Sequence, residues 1–536
     1  MVFFMLTKRI LYLFALLIIS FSFIITRIYI LSVMADSEVL SLANAQREIT
    51  VPINLNRGII YDRDLNPLTD CEKILLAVVD PQLVKNINAI RDIVVDEQKE
   101  FFDENIKKTA IFTVRVNEEI YKEGLIIKET TIRLSKPFHA LHTIGYANDK
   151  NAGVMGLESA FDDILRTNDI YSVSFPVDAV RRAISGLGYK INGESHVNNG
   201  IALTISKPLQ QICEQAADFY IKNGAIVLLD VSDGSIAAMV SRPTFDPYNL
   251  QASLNVEGSF MNKALTPYNV GSAFKICDTA AFLEGGGNVN KSFTCTGAVE
   301  LGEKSITCLD THGAIDLKTA FAESCNSFFI KLALDTGGDN LLAMSQKFGF
   351  GKEINLAPGL SSKKGNIPRP ESMLSRLALG NFSIGQGDLL ATPLQVSQLS
   401  LSVVNGGIRK EPYLVKGLID ENRNLTEYQK SDDERIFSED TANKVKDLMI
   451  NTIENGSGRN SKPHIGGAGI KTATAQTGIL KEDNFILQGW VTGFFPADKP
   501  QYVLTVLVED VVTGARSAGP VFRYIADEIN SLENRY

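Results

Sequence analysis

Asn269-Val-Gly-Ser-Ala-Phe-Lys275 is the stretch on which the reading of this chain turns. A serine followed three residues later by a lysine, after a turn-forming Asn-Val-Gly and before the mostly apolar run 276–283, places both side chains on one face of a helix's first turn. Ser272 and Lys275 are then expected to touch. A hydroxyl becomes a useful nucleophile only when a base removes its proton, and a lysine in a partly desolvated pocket has its pKa lowered towards that task. The helix N-terminus adds backbone N–H groups and a positive dipole end, both suited to an oxyanion. Ser-x-x-Lys by itself also describes an ordinary solvated surface pair, so its meaning depends on partners elsewhere in the chain.

Two partners follow in order. Ser324-Cys-Asn326 lies in a helical stretch spanning 318–334, and Lys471-Thr-Ala473 lies in the small-residue run Gly466-Gly-Ala-Gly-Ile-Lys-Thr-Ala-Thr-Ala-Gln476. That run and Gln488-Gly-Trp-Val-Thr-Gly-Phe494 read as two adjacent strands. Around them, 225–230 and 235–241 form a hairpin through Ser232-Asp-Gly234. Thr392-Pro-Leu-Gln395 starts a helix that Asn405-Gly-Gly407 ends. Strands at 487–495 and 502–508 and a helix at about 520–532 close the chain. Helices packed on one antiparallel sheet, an α+β fold, is the architecture these elements predict.

Ser-x-x-Lys, Ser-Asp-Asn and Lys-Thr-Gly, in that order, mark penicillin-binding proteins and class A β-lactamases. The chain resembles a class B penicillin-binding protein, a monofunctional peptidoglycan D,D-transpeptidase. Arg57-Gly-Ile-Ile-Tyr-Asp-Arg63 resembles the family's N-terminal motif, and 224–247 its first hairpin and following loop. Gly385-Gln-Gly387 with Thr392-Pro-Leu-Gln395 resembles its late helix, and Gly489-Trp-Val-Thr-Gly-Phe-Phe-Pro496 its core strand. The likeness is weakest between about residues 70 and 140.

What the resemblance implies is specific. The fold would be the penicillin-binding transpeptidase fold, with a membrane anchor at 1–35, an irregular α/β pedestal resembling a dimerisation domain at 36–215 and the transpeptidase domain at 216–536. Ser272 would attack the penultimate D-Ala carbonyl of a stem peptide while Lys275 accepts its proton. Ser324, aided by Lys471, would relay a proton to the leaving D-Ala, and Asn326 would bind substrate backbone and orient Lys275. Thr472 would hold the terminal carboxylate, and the N–H groups of Ser272 and Thr474 would form an oxyanion hole, where one donor is worth about 2.7 to 4 kcal/mol. An amine of a second stem peptide would resolve the acyl-enzyme into a cross-link, and β-lactams would acylate the same serine. No cofactor is implied. A polytopic glycosyltransferase of the shape, elongation, division and sporulation (SEDS) group is the implied partner.

The third motif departs from the family pattern, since Ala473 stands where glycine is usual. Glycine there permits close approach of substrate and backbone, so altered efficiency is expected. Hydrolysis of the same acyl-enzyme, as in a D,D-carboxypeptidase or a β-lactamase, is the alternative within enzymes. A catalytically weakened, β-lactam-binding scaffold is the alternative that Ala473 motivates.

The rest of the sequence bounds these readings. Of 536 residues, 45% are hydrophobic and 21% charged, enough for a large core and two or three domains. A net charge of −9 argues against a nucleic-acid-binding surface. Residues 10–25 are almost wholly apolar, with Lys8 and Arg9 before them and Arg27 after. An uncleaved signal anchor is expected there, its N-terminus held in the cytoplasm and everything after about residue 35 outside. Cleavage at the weak Val33-Met-Ala35 site is the competing reading. Arg57 to Asp64 reads as a surface hairpin with ordinary ion pairs, each worth less than about 1 kcal/mol.

The six cysteines include no Cys-x-x-Cys, and the five histidines (His139, His142, His196, His312, His464) are scattered, so no metal site is expected. A Cys295–Cys308 disulfide and two buried free thiols are equal alternatives. Cys277 reads as a core residue, Cys325 as pointing away from the site, and His312 as structural.

Overall fold

The computed structural model describes residues 2–33, 47–167, 170–178, 182–184, 186–193, 199–481, 484–511 and 513–533. His196 and most of the Val33-Met-Ala35 site lie outside the described residues. The chain divides into two compact units, and the cut is not a single point near residue 215. One unit comprises Met1–Asn56, Glu72–Ile132 and Asn168–His196; the other comprises Arg57–Cys71, Arg133–Thr167 and Val197–Tyr536.

The first unit begins with a helix, Val2–Val33. Its segment Lys8–Ile30 has a mean hydropathy of 2.2 and is, among the described residues, the one helix long and apolar enough to cross a membrane. At 1.5 Å per residue those 23 residues extend roughly 34 Å, about the thickness of a bilayer's hydrocarbon core. Beyond it lie two small antiparallel sheets. Glu48–Asn54, Tyr171–Pro176 and Lys190–Asn192 make one. Phe112–Val116, Glu72–Val79 and Leu125–Ile132 make the other, packed through Ala77, Val79 and Val114 on Phe102 of the helix Lys99–Asn105.

The second unit is built on a five-stranded antiparallel sheet. Its elements in chain order are β1 (Gly224–Asp230), β2 (Ile236–Arg242), α1 (Lys275–Glu284), α2 (Leu317–Ala322), α3 (Asn326–Thr336), α4 (Pro393–Val404), β3 (Gly469–Lys481), β4 (Asn484–Phe495), β5 (Tyr502–Glu509) and α5 (Gly514–Glu533). The strand order is β2-β1-β5-β4-β3. β1 is apolar up to its last residue, Asp230, because both faces are covered: Ala225, Val227 and Leu229 join the core with α1 and α4, whereas Ile226 and Leu228 pack with Val521, Phe522 and Ile525 of α5. Two-residue alternation along the strand thus feeds two separate cores. α4 starts with a capping box in which Thr392 and Gln395 exchange side-chain and backbone hydrogen bonds.

Three elements depart from the sequence-based expectation. The stretch 318–334 is not one helix but two, broken at Ser324 with φ +59°. The last helix begins at Gly514, and Pro520 lies inside it.

The Arg57 segment is no surface hairpin. Arg57 is 6% exposed and Glu158 fully buried; Arg57 donates to Glu158, and its Nη2 lies 2.7 Å from Asp162 Oδ1. Arg133 donates to the same Glu158 at 2.8 Å and to Asp70. The ion pairs are interior because Ile59–Tyr61, which follows Arg57, pairs in parallel with Gly200–Leu203.

Candidate active site

Ser272 lies in a 3-10 turn, Gly271–Phe274, that runs directly into α1. Gly271 takes φ +59°, and a Cβ there would stand 3.1 Å from Ala475 Cβ and 3.2 Å from the Thr474 carbonyl oxygen, so glycine lets this turn press against β3. Gly385 performs a similar service from the other side: its carbonyl accepts from Gly271 N–H at 2.8 Å, and a Cβ on it would meet Gly271 O at 2.0 Å. Trp490 Nε1 donates to Asn269 O at 3.0 Å, tying the approach to the turn onto β4. Ser272 is half-buried, one turn ahead of Lys275.

Lys275 is fully buried. Its Nζ donates to Ser324 O at 2.7 Å, Asn326 Oδ1 at 2.8 Å and Ser324 Oγ at 3.2 Å. Lys471, also fully buried, reaches Ser324 Oγ at 3.0 Å and Thr472 O at 3.0 Å from β3. Ser324 therefore sits between two amines, in a left-handed backbone conformation that costs a non-glycine residue roughly 1–2 kcal/mol. The break between α2 and α3 is what aims it there.

All the acceptors around the two amines are neutral oxygens. Burial brings the Lys275 pKa down to about 7. Burial also holds Lys471 well below the usual lysine range, and the charge of Lys275 pushes in the same direction. Asp278, one turn after Lys275, does not supply a countercharge: it is fully buried, neither carboxyl oxygen has a hydrogen-bond partner among the described residues, and burial pushes its pKa well up. A group of this composition can hold a neutral amine within hydrogen-bond reach of the Ser324 hydroxyl and pass a proton through that hydroxyl to a second amine.

Lys275, Ser324, Asn326 and Lys471 are thus joined by direct hydrogen bonds. Thr472 is linked to them through its own carbonyl, and its Oγ1 lies 2.7 Å from Ser457 Oγ. Thr474 pairs with Gly489 in the sheet, and its Oγ1 accepts from Gly514 N–H at 3.0 Å. Ala473 pairs in register with Trp490, in a ladder unbroken from Gly469 to Gln476, and is only 3% exposed. Its methyl group is buried with the core that carries α1, and the strand is not distorted by it.

Sequence reasoning did not single out Ser457, Asp278 or Gly514. Ser457 also donates to Ala322 O at 3.0 Å, joining the end of α2 to β3. The signal it left was a serine between two glycines, Gly456 and Gly458.

The family model for the penicillin binding protein transpeptidase domain matches residues 224–527. Stage V sporulation protein D of Bacillus subtilis is 28% identical, over 96% of this chain and 84% of its own length. Peptidoglycan D,D-transpeptidase PbpA of Mycolicibacterium smegmatis is 29% identical, over 72% of this chain and 80% of its own. Among solved structures, penicillin binding protein 3 of Mycobacterium tuberculosis complexed with ampicillin aligns with a TM-score of 0.66 at 22% identity, covering 91% of this chain and 96% of that one. At that identity the likeness is one of fold.

Proposed function

The chain belongs to the penicillin-binding protein transpeptidase family and is a class B member, a peptidoglycan D,D-transpeptidase, and from that premise we propose that it works through an acyl-enzyme on Ser272. Ser272 Oγ attacks the penultimate D-Ala carbonyl of a donor stem peptide as its proton passes to the Lys275 amine. The oxyanion is received by the backbone N–H groups of Ser272 and Thr474, which the close packing of Gly271 on Thr474 and Ala475 supports. Ser324, between Lys275 and Lys471, passes a proton to the departing D-Ala amine. Asn326 orients Lys275 and binds substrate backbone, and Thr472 holds the terminal carboxylate. The amine of an acceptor stem peptide then attacks the ester, its proton leaves by the same route, and Ser272 is regenerated.

The observation that carries this reading is the full burial of Lys275, three residues after Ser272, with its amine hydrogen-bonded to both polar residues of the second motif and to no carboxylate; that burial lowers its pKa. β-Lactams acylate Ser272 in this account. The apolar helix Val2–Val33 supports a single-pass anchor, with the catalytic unit outside the cytoplasmic membrane in this account and a polytopic SEDS-type glycosyltransferase as its partner. The direct test is labelling of the purified chain with a fluorescent penicillin. A stable covalent label in the wild type and none in Ser272→Ala is expected; an equally labelled Ser272→Ala protein overturns the assignment.

A further inference from the structure

Beside the second motif lie four side chains that acyl transfer does not use. Cys295 ends the strand Ser292–Cys295, which pairs with Gly313–Asp316 so that Cys295 stands opposite Gly313 and next to His312. Cys308 N–H donates to Gly297 O at 2.8 Å, which holds the intervening loop against the same strand end. Cys325 caps α3. The three Sγ atoms and a His312 ring nitrogen all lie within 4.8 Å of one another. Cys308 Sγ is 3.6 Å from Cys325 Sγ, and His312 Nδ1 is 3.5 Å from Cys295 Sγ and 3.7 Å from Cys308 Sγ. The sulfurs are free thiols; Cys295 and Cys325 are buried, Cys308 and His312 half-buried.

We propose that Cys295, Cys308, His312 and Cys325 bind one zinc ion, which fixes the second motif in its working conformation. Tetrahedral zinc, with bonds of about 2.3 Å to sulfur and about 2.0 Å to nitrogen, places its ligands about 3.7 Å apart for sulfur pairs and about 3.5 Å for a sulfur and a nitrogen. The Cys308–Cys325, Cys295–His312 and Cys308–His312 spacings already match those values, and all four ligand atoms lie within 4.8 Å of one another. A disulfide would join two of the thiols and leave the third and the imidazole without a role, whereas one ion engages all four. Three thiolates and an imidazole favour zinc over magnesium or calcium, and four protein ligands make a closed, structural site.

Binding is by His312 Nδ1, which leaves the proton on Nε2. Each ligating thiol exchanges its S–H bond for a sulfur–zinc bond and releases its proton to solvent, with no change of oxidation state. Phe328 N–H, 3.4 Å from Cys325 Sγ, supplies a hydrogen bond to that ligand.

Cys325 is flanked by Ser324 and Asn326, the two residues that hold Lys275 Nζ. An ion joining Cys325 to the loop carrying Cys308 and His312 would hold Ser324 in its left-handed conformation at the break between α2 and α3. The four ligands are positioning residues: they touch no reacting atom.

The test uses the full chain in detergent, purified with a reductant and without chelator. Elemental analysis is expected to find one zinc per chain in the wild type and in Cys71→Ser, whose thiol is exposed and remote from the ligand set in sequence, and to find it lost in Cys308→Ser and His312→Ala. Cobalt titrated into the chelator-stripped wild type is expected to give the sulfur-to-metal charge-transfer and intense visible bands of a tetrahedral thiolate site. Stripping is expected to lower the thermal midpoint and slow penicillin acylation about tenfold, with both restored by zinc. Neither the metal content nor the cobalt spectrum depends on enzyme activity. Wild-type protein that carries no zinc and gives no cobalt spectrum with its thiols reduced overturns the proposal. So does zinc retained in full by Cys308→Ser, or a Cys308–Cys325 disulfide found by mass analysis of the unreduced native protein.

Discussion

Two interior polar clusters in the same unit are built on opposite rules. Around Glu158, two arginines meet three carboxylates (Arg57 and Arg133 with Asp70, Glu158 and Asp162), so each buried charge faces an opposite one. Around Ser324, two buried lysines meet hydroxyl, amide and carbonyl oxygens, and Asp278, the carboxyl one turn after Lys275, is driven towards its neutral form. Buried charges that are paired stay charged and hold segments together. Buried amines without countercharges lose protons more readily and become bases. The first cluster ties Arg57 to Glu158, 101 positions later, and the second is the one we propose to serve Ser272.

Arginine in place of Lys275 is the largest way to break this contrast. It keeps the positive charge and cannot act as a base near neutral pH, so Lys275→Arg is expected to slow penicillin acylation by about 10²–10⁴-fold, read as the second-order labelling rate, in a protein that still folds. Glu158→Gln attacks the other cluster. It removes the fully buried carboxylate that both arginines share, leaving Arg57 only Asp162 and Arg133 only Asp70, and is expected to cost roughly 3–5 kcal/mol of stability, measured by denaturant unfolding, while the acylation rate of the folded fraction stays at the wild-type level. If Glu158→Gln instead lowered acylation without loss of stability, the two clusters would not be separable as drawn here. The smallest effect is expected from Ala473→Gly. Because the Ala473 methyl is buried in an undistorted strand, its removal should change the acylation rate by less than about tenfold in either direction.

Two of the three motifs were legible because each is a local spacing: Lys275 follows Ser272 by three residues at the start of α1, and Lys471 and Thr472 share one strand. The sheet was legible for the same reason, as apolar runs separated by turn residues such as Ser232-Asp-Gly234. What could not be read depends on partners far away in the chain. The left-handed break at Ser324 lies inside a continuous helical pattern and is imposed by contacts of its carbonyl and hydroxyl with Lys275 and Lys471, 49 and 147 residues away. Arg57 looks like a surface arginine until Glu158, 101 residues later, is placed beside it. The thiol and imidazole cluster escaped because its four members are spread over residues 295–325 with no Cys-x-x-Cys among them, and it forms only when a hairpin and a helix cap meet. Ser457 left only a Gly-Ser-Gly turn, and its contact with Thr472 needs the end of α2 to come close to β3.

The central claim is that burial without a countercharge makes Lys275 the base for Ser272. Its sign is definite: a lysine whose pKa has come down to about 7 is protonated and inactive below that pH and neutral above it. The most direct test is the rate constant for penicillin acylation of the wild type, measured from pH 5.5 to pH 9 at constant ionic strength. The account predicts a rate that rises about tenfold per pH unit at the acid end and levels off above a midpoint near 7. A rate that is flat across this range, or that is still climbing steeply at pH 9 as an ordinary lysine would require, contradicts it.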